Sequence, residues 1–391
     1  MGEGKPVIDL EREYGIVLEG GGAKGAYQIG AWRALREAGV KIRGVAGTSV
    51  GALNGALMCM GDLELAESVW KDLTYSQVMD VEDQKMEMLM EGNMPFWEAV
   101  GQVFQRMGEG GVDVTPLKEL LLQVVDEEKI RNSSMELYIK TFSLDQMKEL
   151  DIDLKQVEPG QMKDFLLASA YIFPLFKHEK LMGARYIDGG AINNVPLDSL
   201  VDRGYQDIIM IRIFGIGREK RIRIPEDTRI ISIEPRVNLG NIIDFNPSRS
   251  RRNMKIGYLD AKRVLYGLKG RIYYIEENQE ECYYLKHLLQ IPEESMDRIL
   301  AWYRAEDEPG QRLRAMTEVV LPGTAMELKL GRDWDYRQLY LACLEATAKL
   351  CRVPKYRIYT VEELCQAVKT RLQAMGEKRR GDLPAFTRFF L

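Results

Sequence analysis

The stretch from Tyr14 to Met60 constrains the fold more than any other part of this chain. Tyr14 to Leu18 (YGIVL) is a short apolar run that ends in Gly20-Gly21-Gly22. Ala26 to Ala38 then repeats apolar residues at helical spacing and stops at Gly39. Val40 to Ala46 is a second strand-like run. It leads into Gly47-Thr48-Ser49-Val50-Gly51 and a small-residue helix from Ala52 to Met60. Strand, glycine turn, helix, strand, sharp turn, helix is the opening of a parallel α/β sheet.

The rest of the chain divides by pattern. Residues from about 62 to 130 are mostly helical, rich in Met and acids, and interrupted by Gly92, Pro95, Gly108, Gly110 and Gly111; they are expected to form an inserted cap. Met135 to Ser143, Ala184 to Ile187, Asp207 to Phe214 and Thr228 to Glu234 are further strand candidates. Asp164 to Ala170 predicts a short helix, and Ser248 to Leu268 a basic amphipathic one. From about Glu276 the pattern is helical only. The expectation is an α/β domain over 1–275 and a helical region over 276–391.

Composition removes several classes of chemistry. There are two histidines, His178 and His287, among 391 residues, which leaves little room for histidine-rich metal catalysis. The five cysteines contain no Cys-x-x-Cys pair, so no zinc ribbon or redox motif is expected, and they read as reduced thiols of a cytoplasmic protein. A net charge of −5 is no signature of a nucleic-acid binder. The first residues carry no apolar segment of a secretory signal, and no stretch approaches the ~18 unbroken apolar residues of a membrane span. Any membrane contact is therefore expected from the surface.

Two glycine clusters and one aspartate carry the candidate chemistry. Gly47-Thr48-Ser49-Val50-Gly51 has the Gly-x-Ser-x-Gly pattern between a strand and a helix, the context of a nucleophile elbow. A serine there sits at a helix N-terminus, where backbone N–H groups favour developing negative charge. Gly20-Gly21-Gly22-Ala23-Lys24-Gly25 follows the first strand and offers backbone N–H groups to an anion. A phosphate loop is the competing reading. Lys24 is followed by Gly25 and Ala26 rather than Ser or Thr, and the second strand runs into Gly47-Thr48-Ser49 rather than ending in an acid, so an oxyanion hole explains both clusters better. Neither His178 nor His287 has the flanking turn chemistry of a triad histidine. Asp188, at the end of an apolar run and before Gly189-Gly190, is the better candidate base; partial burial would raise its pKa and strengthen it.

In combination and in order, GGGAKG at 20–25, GTSVG at 47–51 and DGG at 188–190 resemble the patatin-like phospholipases, acyl hydrolases with a serine–aspartate dyad. LLASAYIFPLF before the aspartate, AINNVPL after it, and residues 239–263 extend the resemblance over about residues 12–270. The resemblance implies an α/β three-layer sandwich with a mostly parallel central sheet. It implies Ser49 as nucleophile, Asp188 as base, and N–H groups of Gly21, Gly22 and Ala23 as the oxyanion hole. Gly20, Lys24, Gly25, Gly47, Gly51, Gly189 and Gly190 complete the motifs. The family usually carries Arg where this chain has Lys24, which keeps the charge and loses the bidentate fork. No metal or cofactor is implied. The implied substrate is a phospholipid or another lipid ester. A soluble carboxylesterase or thioesterase with the same dyad, and a regulatory or scaffold protein on the same fold, are the alternatives.

Two segments are candidates for lipid contact. Met79, Met86, Met88, Met90 and Met94 cluster with Phe96 and Trp97 in the expected cap, either as an acyl-chain lid or as core filling. Residues 249–271 carry a net +7, from Arg249, Arg251, Arg252, Lys255, Lys262, Arg263, Lys269 and Arg271 against Asp260. They form either a peripheral membrane contact or a face that pairs with acids elsewhere.

Overall fold

β1 (Glu13–Leu18) is buried at every residue after the first, as a strand covered on both faces must be. It pairs in parallel with β2 (Lys41–Thr48) on one side and with β6 (Asp207–Ile211) on the other. The computed structural model describes residues 5–90, 98, 101, 112–171, 180–305 and 310–391. Among these, the sheet order is β4-β3-β2-β1-β6-β7, with β3 at Glu136–Ser143, β4 at Lys148–Asp153 and β7 at Arg229–Ile233. A short β5 (Tyr186–Asp188) also pairs with β3. The β3–β2–β1–β6–β7 run is parallel, and β4 and β5 join β3 antiparallel. The sheet is thus mixed and mostly parallel. β4 has an irregular, half-exposed pattern as an edge strand, so alternation does not announce it.

Helices cover both faces. α1 (Ala26–Glu37) follows the glycine turn and α2 (Val50–Met60) follows Ser49. Gly55 on α2 lies against Leu18, Val45 and Leu137 of one sheet face. Val17, Ala46, Tyr138 and Ile208 on the other face pack with Val195, Leu200 and Tyr205. The segment after α2 contains α3 (Leu63–Asp72), α4 (Asp83–Met90), α5 (Thr115–Val124) and α6 (Glu127–Asn132). α7 (Met162–Ser169) precedes β5, α8 is Leu197–Val201, and α9 is Pro247–Tyr266.

α9 is a packed element with an exposed basic side. It lies along α1, where Gly30 and Gly257 permit backbone approach to Met254 and Tyr27. Lys262 pairs with Glu37 at 3.3 Å and Arg263 with Asp260 at 3.3 Å, and Arg249 is paired with Asp244. Arg251 and Arg252 donate to the carbonyls of Lys71 and Asn238. Asp260 is already counted in the +7 seen in the sequence, so Glu37 and Asp244 offset two of those charges, and Arg251, Lys255, Lys269 and Arg271 stay exposed. Among the described residues, no helix is long and apolar enough to cross a membrane.

The chain divides into two compact units, Met1–Tyr266 and Gly267–Leu391. The division comes before residue 275 because Tyr274–Glu276 pairs in parallel with Ile358–Thr360 inside the second unit. That pair also corrects the expectation of helices alone. The helices of this unit include Glu281–Leu289, Glu293–Trp302, Tyr336–Leu350 and Val361–Gln373, around a core with Tyr284, Ile299, Leu344 and Phe390. Buried Glu345 accepts from the N–H groups of Arg271, Ile272 and Tyr273 at 2.7–2.9 Å.

Candidate active site

Sheet register brings Ser49 and Asp188 together. Thr48, the last residue of β2, stands opposite Lys140 on β3, and Asp188, the last residue of β5, stands opposite Thr141. β2 therefore arrives and β5 ends at consecutive positions of one strand, from opposite directions. The Ser49 side chain acts on the Asp188 carboxylate and lowers its pKa. The other interaction fixing that carboxylate is the Gly190 N–H, which donates to Oδ1 at 2.7 Å. Desolvation pushes the Asp188 carboxyl up to about 6, against the lowering effect of these two interactions.

Ser49 has φ 54° and ψ −126°, a conformation that a serine holds only when its surroundings enforce it. The enforcement is visible. A Cβ on Gly47 would lie 2.3 Å from the Gly51 carbonyl, and one on Gly51 would lie 2.3 Å from the Leu18 carbonyl, so only glycines allow the strand and helix to approach this closely. The Ser49 N–H donates to Ser169 Oγ at 2.9 Å, and Ser169 donates onward to the Lys140 carbonyl at 2.7 Å. Thr48 donates to the Asn193 carbonyl at 3.0 Å.

The glycine loop keeps two backbone donors unused. Among the described residues, no group accepts from the N–H of Gly21 or Gly22. Gly22 has φ +53°, and a Cβ there would lie 2.0 Å from the Ile242 carbonyl. Ala23 does not belong with them: its N–H donates to that same Ile242 carbonyl at 2.7 Å, so it has no donor left for an oxyanion. Lys24 carries its ammonium to the Phe214 carbonyl, 2.5 Å away, and so braces the loop without the fork of an arginine. Burial holds its pKa below the usual lysine value, with Glu19 acting the other way.

Sequence reasoning missed the residues that hold this loop. Glu19, 2% exposed, accepts from the N–H groups of Ile213, Phe214 and Gly215 at 2.8, 3.0 and 3.1 Å and from Arg212 Nε at 2.9 Å. The segment it holds packs directly on Gly20 and Gly21. Asn194 donates to the Gly20 carbonyl at 3.0 Å. An acid next to the triple glycine was the available signal for Glu19, since a buried carboxylate needs several donors.

A cleft opens beside Ser49. Gly22, Ser49, Val50 and Leu53 line it together with Val69, Trp70, Leu73, Val78, Leu117, Leu120, Leu121, Val124, Val125 and Phe245, which make the lining apolar. The cap segment contributes through Leu and Val, not through the methionines. Met79, Met86 and Met90 are buried core residues, Met88 is 72% exposed, and none of them lines the cleft. Met94, Phe96 and Trp97 lie outside the described residues. His178 also lies outside them, and His287 sits in the second unit with Nδ1 2.8 Å from the Tyr283 carbonyl.

The patatin-like phospholipase family model matches residues 16–201, a span that contains both glycine clusters, Ser49 and Asp188. Residues 16–201 make up a patatin-like phospholipase domain. A lysophospholipase nte1 of Aspergillus terreus is 56% identical over 46 residues, and the neuropathy target esterase sws of Drosophila persimilis is 58% identical over 45. Each match spans 12% of this chain and 3% of the relative. Among solved structures, VipD from Legionella pneumophila aligns at TM-score 0.42 and 13% identity, over 96% of this chain and 90% of that one. ExoU from Pseudomonas aeruginosa, solved in complex with SpcU, aligns at 0.34 and 14%, over 96% and 70%.

Proposed function

We propose that the patatin-like domain is a lipid acyl hydrolase that cleaves carboxylic esters through an acyl-enzyme on Ser49. The observation that carries this reading is the strand register that sets Ser49, which lines an apolar cleft, beside a desolvated Asp188 carboxylate.

Each step is assigned to a named group. Asp188 takes the Ser49 proton as Oγ attacks the ester carbonyl carbon, and a carboxylate with a pKa near 6 is a far better base than an ordinary aspartate. The carbonyl π electrons move onto oxygen, and the N–H groups of Gly21 and Gly22 with the head of α2 stabilise that charge. The tetrahedral intermediate collapses, the C–O bond to the alcohol breaks, and Asp188 returns its proton to the leaving oxygen. Water then attacks the acyl-enzyme with Asp188 again as base, releasing the fatty acid and free Ser49. The acyl chain occupies the Leu- and Val-lined cleft. No step requires a metal.

A panel of phospholipid, lysophospholipid, acyl-CoA and short-chain esters, run with Ser49→Ala as the blank, tests this reading. Ser49-dependent release of fatty acid from the lipids is the expected result. Turnover of short esters or thioesters alone would assign the domain to soluble substrates.

A further inference from the structure

The connection between β6 and β7, residues 212–228, contains no helix, although it joins two parallel strands. Structureless connections longer than about 12–15 residues in compact domains are usually functional. Its base is anchored at both halves of the site. Glu19 holds residues 213–215, the Arg218 N–H donates to the Gly190 carbonyl at 2.9 Å, and the Asn194 N–H donates to the Arg218 carbonyl at 2.6 Å. Lys220 pairs with Asp198 at 2.9 Å.

Beyond these anchors the loop is open to solvent. Phe214, Ile216 and Ile224 are 49%, 46% and 45% exposed. Arg218, Arg221 and Arg223 are exposed between them and form no ion pair with any described acid. Glu219 is paired with Arg212 at 3.1 Å, which leaves Glu226 and Asp227 as the opposing charges, Asp227 accepting from the neutral Gln206 amide at 2.6 Å. Exposed apolar tips interleaved with unpaired guanidiniums are the two signals that together hold a protein at an anionic lipid surface.

We infer that residues 214–224 dock the domain on an anionic bilayer and present the Ser49 cleft to lipid. The inference rests on the lipid-hydrolase reading and places the contact on this loop rather than on α9. Apolar tips enter the interface while Arg218, Arg221 and Arg223 meet headgroup phosphates. The loop's anchors to Gly20, Gly190 and Asn194 then bring the bilayer to the carboxyl edge of the sheet, where Ser49 lies.

The test is vesicle flotation of the full chain carrying Ser49→Ala, so that lipid is not consumed. Vesicles are phosphatidylcholine alone, or equal parts phosphatidylcholine and phosphatidylglycerol. The expected result is binding to the anionic vesicles that weakens with salt and falls more than about tenfold in Arg221→Glu/Arg223→Glu and in Ile216→Asp. Lys255→Glu, on the exposed side of α9, is expected to bind as the parent does. Failure of the parent to bind, salt-insensitive binding, loop variants that bind like the parent, or loss on Lys255→Glu would each overturn the inference. Salt dependence is read on the parent, so the test survives a loop variant that misfolds. Ser49-dependent hydrolysis of a short soluble ester, measured separately, reports whether the underlying enzymatic reading holds.

Discussion

The side-chain amide of Asn194 donates to the carbonyl of Gly20 at 3.0 Å, which ties the turn after Asp188 to the glycine loop that faces Ser49. Two segments 174 residues apart thereby hold the proposed base and the proposed oxyanion donors in one frame. Asn194→Asp would set a carboxylate against that carbonyl and beside Glu19. The expected loss is about 1–3 kcal/mol of stability, read as a lower thermal midpoint. A fall in kcat on a short ester with little change in KM is expected with it.

Glu19→Gln tests the brace from the other side. The carboxylate serves three backbone N–H groups and Arg212, whereas an amide offers one acceptor atom and turns a donor toward the rest. Stability is expected to fall by about 2 kcal/mol in denaturant unfolding. Ester hydrolysis is expected to fall further than the unfolded fraction accounts for, because the Gly20–Gly21 floor loosens. Activity equal to the parent's in the folded variant would contradict this role.

The proposed base sets a pH dependence with a definite sign. Asp188 must be ionised to accept the Ser49 proton, so kcat/KM should rise with pH through about 6 and then level. The same group opposes stability. Its carboxyl holds a proton more tightly folded than unfolded, so its favourable contribution is complete below the unfolded value and lost as pH rises through about 6. Asp188→Asn is therefore expected to be more stable than the parent at pH near 8, by up to about 3 kcal/mol and read as a higher thermal midpoint, and to lose that advantage near pH 4.

The cleft beside Ser49 should measure chain length. Leu120 and Leu121 on α5 line it, and Leu120→Trp fills part of that space. The variant is expected to keep turnover of the shortest esters and to lose that of long-chain ones by an order of magnitude or more. A rate profile against acyl length decides it; an unchanged profile would move the acyl chain elsewhere.

Local chemistry made much of this legible in the sequence. The order of β1, α1, β2 and α2, the elbow at Ser49 and the turn at Asp188 all follow from apolar runs and glycines that nothing else accommodates. The readings that stayed open depended on what packs against a segment. For the basic run of α9, Glu37 and Asp244 offset two of its charges and leave the others. For the cap methionines, either lid or core filling, Met79, Met86 and Met90 lie in the core. Ala23 reads as a third donor until the Ile242 carbonyl is placed. Glu19 and Asn194 are single polar residues whose partners lie far along the chain, and no spacing rule finds them.

The central claim is that Asp188 activates Ser49. The most direct measurement is the rate of covalent labelling by a fluorophosphonate at pH near 8, with the modified residue located by peptide mapping, in the parent and in folded Asp188→Asn. The account predicts modification at Ser49 in the parent and a rate lower by about 10²–10⁴-fold in the variant. Labelling of Ser49 at the parent's rate in Asp188→Asn would contradict it.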